Sequence, residues 1–211
     1  MQSNTIKALF LLFFCSIAGA MYWYSETAGP LSQQEVDYYI SEIEAQPQLP
    51  GGKHDLLALR EFLEADNGKS FYTVNLYKFY DLAHYDAGEQ APGTGRQAFD
   101  RFSEVMIRLL ARQASHPIFA SDWIDHGTSK WDRIVVVRYR SRRDIATIFA
   151  NPLFADAAAH KWAGLQENER LLVQALHVPE FFLPLVLVLV TLISIGALAT
   201  RKNNLPFLKT P

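Results

Sequence analysis

The stretch from Ser70 to Tyr80 alternates in a way that predicts a β-strand. Successive side chains of a strand point to opposite faces of its sheet, so every second residue shares a face. One face carries Tyr72, Val74 and Leu76, and the other carries Phe71, Thr73, Asn75, Tyr77 and Phe79. Because both faces are apolar or aromatic, we expect both faces of this strand to be covered in the folded protein.

The chain after this strand changes between helical and extended patterns. Apolar residues at helical spacing predict a helix over 96–114, and two helical pieces over 141–166 that Asn151-Pro152 separates. Further strands are predicted at 118–124, 131–140 and 169–178. The order β-α-β-β-α-β over residues 70–178 predicts an α+β fold with the ferredoxin-like arrangement. Its helices cover one sheet face, so the other, apolar face predicts a second sheet packed against it.

Residues 25–69 are predicted to form a helical N-terminal extension of this domain. The sequence from Ser32 to Glu35 has the spacing of a capping box and predicts a helix as far as residue 46. Prolines and glycines then separate it from a second predicted helix over 53–65. Between the first strand and the next helix, the polar segment 81–95 is long for a compact domain and suggests a functional or mobile loop.

Two uncharged apolar runs lie near the ends of the chain. Residues 8–24 form a run of 17 residues, which spans about 26 Å as a helix. Residues 181–200 form a run of 20 residues, which spans about 30 Å and matches the thickness of a bilayer core. We therefore predict a transmembrane helix at 179–200.

The first run, within residues 1–24, has two interpretations. Ala18-Gly19-Ala20 fits the cleavage site of a secretory signal peptide. Tyr22, Trp23 and Tyr24 fit the aromatic belt of an uncleaved anchor at the membrane interface. We favour the anchor, because the aromatic cluster follows the apolar run directly.

Basic residues predict how the two runs are oriented. Lys7 precedes the first run, and Arg201 and Lys202 begin a basic tail, 201–211, after the second. Positively charged flanks prefer the cytoplasm. We therefore expect residues 25–178 to lie outside it, on the periplasmic side of a bacterial inner membrane.

Composition narrows the possible functions only slightly. The net charge of −2 and the pI near 6.3 argue against a nucleic-acid-binding protein. Cys15 is the only cysteine, so an intrachain disulfide is impossible. The histidines have no zinc-ligand spacing, and the sequence identifies neither a metal nor a cofactor.

Three motifs carry a resemblance to a known family. They are Phe71-Tyr72-x-Val74-Asn75-Leu76-x-Lys78-Phe79, Gly95-Arg96-Gln97-Ala98-Phe99-x-x-Phe102, and Ser141 through Ala146 to Asn151-Pro152-x-Phe154. The first resembles the first strand of the DUF1330 family of dimeric α+β barrels, and the others resemble its two helical segments. The resemblance covers residues 70–177 and implies a ferredoxin-like domain that forms a homodimer. The flanking apolar runs depart from the usual soluble member of the family.

A related superfamily of the same fold includes haem-degrading monooxygenases. The resemblance implies an Asn on the first strand, a Trp on the third strand and a His on the second helix. Asn75 and His160 fall near the matching positions, whereas Arg138 or Tyr139 stands where the Trp would be. Asn75, Tyr139 and His160 are thus the candidate catalytic residues. The alternatives are an Asn hydrogen-bonded inside the barrel wall and a His on a helix surface.

Two further groups of polar residues have competing interpretations. Trp123, Asp125 and His126 follow the second predicted strand and suit either a ligand contact or an exposed strand end. The basic stretch 138–143 suits either an anionic ligand or a solvated edge paired with Asp132 and Asp144. The predicted ligand-binding residues are Asn75, Tyr77, Trp123, Arg138, Tyr139 and His160.

These observations leave two classes of function open. One is a membrane-anchored domain that binds a small apolar or aromatic ligand, or forms a homodimer, outside the cytoplasm. The other is an oxygenase or isomerase acting on a small aromatic or haem-like ligand in the barrel. We also expect Asn75 to be the most polar residue on the sheet face that the helices leave uncovered.

Overall fold

A computed structural model describes residues 2–25, 27–46, 55–85, 93–174 and 182–203. Its helices are α1 (Gln2–Tyr24), α2 (Gln33–Glu44), α3 (Leu56–Glu64), α4 (Gly95–Arg112), α5 (Arg142–Phe149), α6 (Pro152–Gly164) and α7 (Phe182–Asn203). Its strands are β1 (Phe71–Phe79), β2 (His116–Ala120), β3 (Arg133–Tyr139) and β4 (Leu165–Val173). The chain divides into two compact units, one made of Met1–Trp23 with Leu176–Pro211 and the other of Tyr24–Ala175. Residues 86–92 of the predicted loop, 175–178 of the last predicted strand and 204–211 of the basic tail lie outside the described residues.

The first unit contains the two apolar helices. In α1, the 18 residues Lys7–Tyr24 have a mean hydropathy of 1.4 and are long enough to cross a membrane. A helix of this kind near an N-terminus fits a membrane anchor and a signal sequence equally well. The described apolar part of α7, Leu185–Ala197, is shorter than a membrane span.

The second unit is built on a four-stranded antiparallel sheet with the order β2-β3-β1-β4. Strand β1 is therefore central, and Val74 pairs with Val136 on one side and with Leu171 on the other. The alternation predicted from the sequence is confirmed. Phe71, Thr73, Asn75 and Tyr77 are buried, whereas the residues between them are half-buried.

The buried side of the sheet faces the helices and forms the core. We call this side the helical face, and its residues on β1 are Phe71, Thr73, Asn75 and Tyr77. The other side, here called the open face, carries the apolar and aromatic residues Tyr72, Val74, Leu76, Ile134, Val136, Leu171 and Val173 together with the charged residues Lys78, Arg138, Glu167 and Glu169. Val36 and Ile43 of α2 and Leu63 of α3 are buried in the same core as Phe71 and Tyr139. The N-terminal extension is thus part of the core of the second unit.

Capping residues explain where several helices begin. The Ser32–Glu35 capping box starts α2 as predicted, and a second capping box joins Thr94 to Gln97 at the start of α4. Asn151 caps α6, and Pro152 occupies its first turn, where a missing N–H costs little. Each cap satisfies N–H groups that a helix start would otherwise leave unpaired.

The predicted limits of both edge strands were wrong. Strand β2 begins at His116 and ends at Ala120 rather than covering 118–124, and β4 begins at Leu165 rather than residue 169. Pro117 was expected to precede the strand, but an edge strand tolerates Pro, and the ladder has an irregularity between Pro117 and Phe119. The polar start of β4 lies at the other edge, where water can solvate its side chains.

A close approach of two glycines fixes the contact between α4 and α6. A Cβ on Gly95 would lie 2.4 Å from the Gly164 carbonyl oxygen, and a Cβ on Gly164 would lie 2.4 Å from the Gly95 carbonyl oxygen. Only residues without a side chain fit at these two positions. The start of α4 and the end of α6 can therefore meet backbone to backbone.

The first turn of α5 binds the N-terminal extension through two arginines. Arg143 Nε donates to Glu35 at 3.0 Å, and its Nη1 donates to the Gly29 carbonyl oxygen at 3.2 Å. Arg142 donates to the Phe62 carbonyl oxygen. The Arg143 bond, helped by hydrogen bonds from Ser32, lowers the pKa of Glu35 to about 2. These polar contacts tie α2 and α3 to the sheet domain.

We expect Glu35→Gln to destabilise the protein in a pH-dependent way. The depressed pKa means that Glu35 stabilises the fold above its unfolded value near 4.5 and loses this effect as the pH falls towards 2. Because the side chain is 41% exposed, we expect a loss of only about 1 kcal/mol at pH 7. Thermal unfolding of the full chain in detergent, measured from pH 7 to pH 2, tests this.

The control is Glu42→Gln, an exposed position on the same helix. This variant should match the wild-type chain at every pH. A Glu35→Gln effect that stayed constant down to pH 2 would contradict the assigned ion pair.

Candidate functional site

A cleft on the helical face is the main candidate for a binding site. It lies between α4 and strands β2 and β3 and has a volume of about 390 Å³. Its walls are mostly apolar and include Phe99, Phe102, Met106, Leu110, Val135 and Val137. An apolar cleft of this size with a few polar groups is typical of small-molecule sites.

The polar end of the cleft is formed by Arg133 and Asp100. Arg133 Nη1 donates to Asp100 Oδ1 at 3.0 Å, and only 14% of the Arg133 side chain is exposed. Its guanidinium carbon lies 5.3 Å from the centre of the Phe79 ring. The Nε atom of Arg133 is buried and has no hydrogen-bond partner among the described residues. Because this atom is buried, protein atoms rather than the open space of the cleft surround it.

Asn75 does not lie on the open face, and that expectation was wrong. It is 5% exposed and points to the helical face. Its Nδ2 donates to Thr73 Oγ1 at 2.9 Å and to the Val135 carbonyl oxygen at 3.2 Å. The side chain therefore bonds within the sheet, and Asn75 does not line the cleft.

Tyr77 and Tyr139 are both buried on the helical face, but only Tyr77 lines the cleft. The Tyr77 ring packs against Phe99 with centroids 4.5 Å apart, and Tyr139 stacks on Phe71 at 5.1 Å. Burial raises the pKa of both tyrosines. Both hydroxyls are therefore protonated at neutral pH, which suits packing and hydrogen bonding rather than proton abstraction.

His160 lies on α6 in a different hydrogen-bonded group. The Tyr85 hydroxyl lies 2.9 Å from His160 Nδ1 and also accepts a bond from Arg101 Nη1 at 3.1 Å. His160 is not among the residues that line the cleft. The contact joins Tyr85, in the segment after β1, to His160 on α6.

Arg138 and Trp123 do not line the cleft and lie in two other parts of the domain. Arg138 lies on the open face beside His116, and its guanidinium carbon is 3.9 Å from the centre of the Tyr24 ring. The Tyr24 hydroxyl shares a 2.7 Å hydrogen bond with His116 Nε2. Tyr24 thereby covers one end of the open face. Trp123 is 70% exposed in the β2–β3 connection.

Arginines of the basic stretch 138–143 contact other parts of the protein. Neither the ligand interpretation nor the solvated-edge interpretation predicted all of these contacts. Arg140 pairs with the buried Asp144 at 2.6 Å, as the solvated-edge interpretation proposed in part. Asp132 instead accepts a bond from the Phe79 backbone N–H at 2.7 Å. Arg142 and Arg143 bind the N-terminal extension.

The Asp125 and His126 group is an exposed turn. Asp125 Oδ1 accepts from the Gly127 N–H at 3.0 Å, and His126 Nε2 lies 3.4 Å from Asp132 Oδ1. Within the part of the chain that the structure describes, no three His, Cys, Asp or Glu side chains are grouped so that they could hold a metal ion.

Sequence reasoning missed the residues that give the cleft its polar end. Asp100 and Arg133 are 33 positions apart, and each resembles an ordinary surface charge. The alternation of side chains was one available signal. Arg133 begins strand β3, which is rich in β-branched residues, and the alternation places Arg133 on the same face as Tyr77. The alternation does not show that α4 packs over that face and brings Asp100 next to Arg133.

Comparisons with known proteins support the fold only. No family model and no curated protein matches the chain. The crystal structure of methylated RPA0582 protein matches with a TM-score of 0.52 and 16% identity, over 59% of this chain and 93% of that chain. A second structure, the RPA0582 protein of unknown function from Rhodopseudomonas palustris, matches with a TM-score of 0.51 and 16% identity, over 58% and 94%. The chain is therefore a mixed α+β protein with a four-stranded antiparallel sheet.

We expect Asn75→Ala to reduce stability because Asn75 bonds within the sheet. The change leaves a buried hydrogen-bonding site without its donor, which costs about 1–3 kcal/mol. Thermal or chemical unfolding of the full chain in detergent measures this loss. The control is Gln34→Ala, an exposed amide on α2. If both variants were equally stable, the structural role of Asn75 would be wrong.

Proposed function

We propose that this chain is a membrane-anchored relative of the DUF1330 family whose ferredoxin-like domain forms a homodimer through the open face. The element order from β1 to β4 and the strand order β2-β3-β1-β4 support the ferredoxin-like assignment. In a dimeric α+β barrel, the sheets of two such domains pack face to face. The proposal makes the uncovered sheet surface the functional interface.

The apolar character of the open face is the observation that carries this proposal. Val74, Val136 and Leu171 lie side by side across three strands. Leu171 remains 49% exposed and Val173 41% exposed. A contiguous exposed apolar patch marks an interaction surface, because its burial removes unfavourable contact with water.

A second copy of the chain is the occupant that fits this surface best. Two twisted sheets pack about 10 Å apart with interdigitating side chains, which suits a flat apolar face better than a small ligand does. Lys78 and Glu167 are neighbours across β1 and β4 near one end of the same face, and Glu167 forms an ion pair with Lys130. Opposite charges on one surface allow a twofold contact in which each copy presents both partners.

We expect Leu171→Glu to convert the dimer to a monomer. The new carboxylate would lie in the centre of the apolar contact, where burying an unpaired charge is strongly unfavourable. The matched control is Leu172→Glu. Leu172 is the next residue of β4, has a similar exposure of 44% and points to the helical face.

The measurement is sedimentation of the full chain in density-matched detergent. The wild-type chain and Leu172→Glu should have the mass of two copies, and Leu171→Glu the mass of one. A wild-type monomer at high protein concentration, or equal effects of the two variants, would contradict the proposed interface.

We further propose that α1 and α7 anchor the domain on the outer side of the inner membrane. Support comes from the apolar Lys7–Tyr24 helix and from the basic residues Lys7, Arg201 and Lys202 at the opposite ends of the two runs. The tail after residue 200 would then lie in the cytoplasm.

Reporter fusions after Pro211 test this orientation. A reporter enzyme that is active only outside the cytoplasm should be inactive there, and a protein that fluoresces only inside should fluoresce. The opposite pair of results would reverse the topology.

The enzyme hypothesis has less support. An oxygenase or isomerase of the haem-degrading type would need Asn75 and His160 to face one ligand. Each bonds instead to protein groups, and neither lines the cleft.

A further inference from the structure

A groove lies between the two apolar helices of the first unit. Its volume is about 400 Å³, which falls within the usual range of small-molecule sites, about 300–1,000 Å³. Its walls are formed by side chains of both α1 and α7, among them Phe10, Phe14, Leu189 and Leu192. The walls are almost entirely apolar, so the groove suits a hydrocarbon group.

The groove is bounded by a packed pair of helices. Phe10 is half-buried between exposed neighbours on α1, and so are Leu189, Leu192 and Gly196 on α7. A Cβ on Gly196 would lie 3.6 Å from the Phe10 ring, so the missing side chain lets the two helices come close. Small residues allow such close approaches between membrane helices.

Basic residues of both helices lie near this contact. Lys7 comes three residues before Phe10, and Arg201 comes five residues after Gly196 on the same helix. At 1.5 Å per residue, both are within about 8 Å of the contact along the helix axes. The groove is therefore at the basic end of the helix pair.

The charge at the groove has one sign. Of the described residues that line it, only Lys7 is charged, and its side chain is exposed. Residues 1–24 and 181–211 contain no Asp or Glu. An acidic side chain of either helix therefore cannot neutralise Lys7, and an anion is the complementary partner.

An anionic phospholipid matches both the walls and the charge. One acyl chain would contact the apolar side chains, and the phosphate would lie beside Lys7. Basic pockets between membrane helices on the cytoplasmic side are typical sites for anionic headgroups. A zwitterionic lipid would bring its own positive group to Lys7, and an apolar helix of another protein would leave Lys7 without a counter-charge.

We propose that the groove binds one acyl chain of an anionic phospholipid from the cytoplasmic leaflet, with its phosphate beside Lys7. The inference rests on the proposed membrane anchoring, in which Lys7 and Arg201 lie on the cytoplasmic side. The groove spans Lys7 to Phe14 on α1, a rise of about 10 Å. This length fits within one leaflet, which is about 15 Å of hydrocarbon.

Native mass spectrometry of the full chain tests the proposal by counting the lipids that remain bound. The chain is released from nanodiscs that contain equal amounts of phosphatidylglycerol and phosphatidylcholine with the same acyl chains. We expect one phosphatidylglycerol per chain, retained about fivefold more often than phosphatidylcholine, since one lysine beside an anionic headgroup contributes about this factor.

Two changes at Lys7 separate its charge from its size. Lys7→Gln should remove the preference, so that the two lipids are retained equally. Lys7→Arg keeps the positive charge and should keep the preference. A change that merely disturbed the helices would affect both variants.

A matched pair of substitutions tests the apolar part of the site. Ala197→Phe fills the groove from an exposed position on α7 and should release both lipids. Ala18→Phe adds the same ring at an exposed position of α1 that does not line the groove, and it should match the wild-type chain.

Flotation with lipid vesicles checks the anchoring separately from the lipid site. A wild-type chain that fails to float would contradict the anchoring and the site together. A chain that floats but retains no lipid, or retains both lipids equally, would overturn the site alone. The site is also overturned if Lys7→Gln keeps the preference or if Ala197→Phe keeps its phosphatidylglycerol.

Discussion

Strand β1 lies between β3 and β4, and both of its faces carry apolar side chains. The helical face is covered by α4 and α6 together with the N-terminal helices α2 and α3, which complete the core. The open face keeps Leu171 and Val173 more than two-fifths exposed. Each buried apolar Å² contributes about 25 cal/mol, so covering this face is a strong driving force for association. The helices cover one face and leave the other exposed, and the proposed homodimer would cover the exposed face.

The sequence was sufficient to predict β1 and most of the helices. Period-two alternation placed Phe71 and Asn75 on one face, and the Ser32–Glu35 capping box located the start of α2. Alternation separates the two faces of a strand but does not say which face the helices cover. For that reason the expectation that Asn75 lies on the open face was wrong, and the residue is buried on the helical face. The edge strands were less predictable, because one side of each has no ladder and tolerates Pro or polar residues.

The candidate site depended on tertiary contacts that a local pattern does not contain. Asp100 comes from α4 and Arg133 from β3, and their pairing requires the helix to cross that part of the sheet. The arginines of the basic stretch 138–143, unlike Arg133, were recognised in the sequence as candidate ligand contacts. Their charges suited either an anionic ligand or a solvated edge, but Arg142 and Arg143 bind backbone carbonyls and Glu35 of the extension. Long-range partners therefore decided whether an arginine stabilises the fold or faces a cleft.

The central claim, that a second copy covers the open face, can be tested by the reactivity of a thiol placed on that face. Leu171→Cys and Leu172→Cys are made separately in the full chain with Cys15→Ser, and each is treated with a water-soluble maleimide. At concentrations that favour the dimer, we expect the thiol at position 171 to react at least about tenfold more slowly than the thiol at position 172, since a buried apolar contact excludes the reagent. Dilution should remove the difference, because the two positions are 49% and 44% exposed in a single chain. Equal reactivity of the two thiols at high concentration would contradict the account.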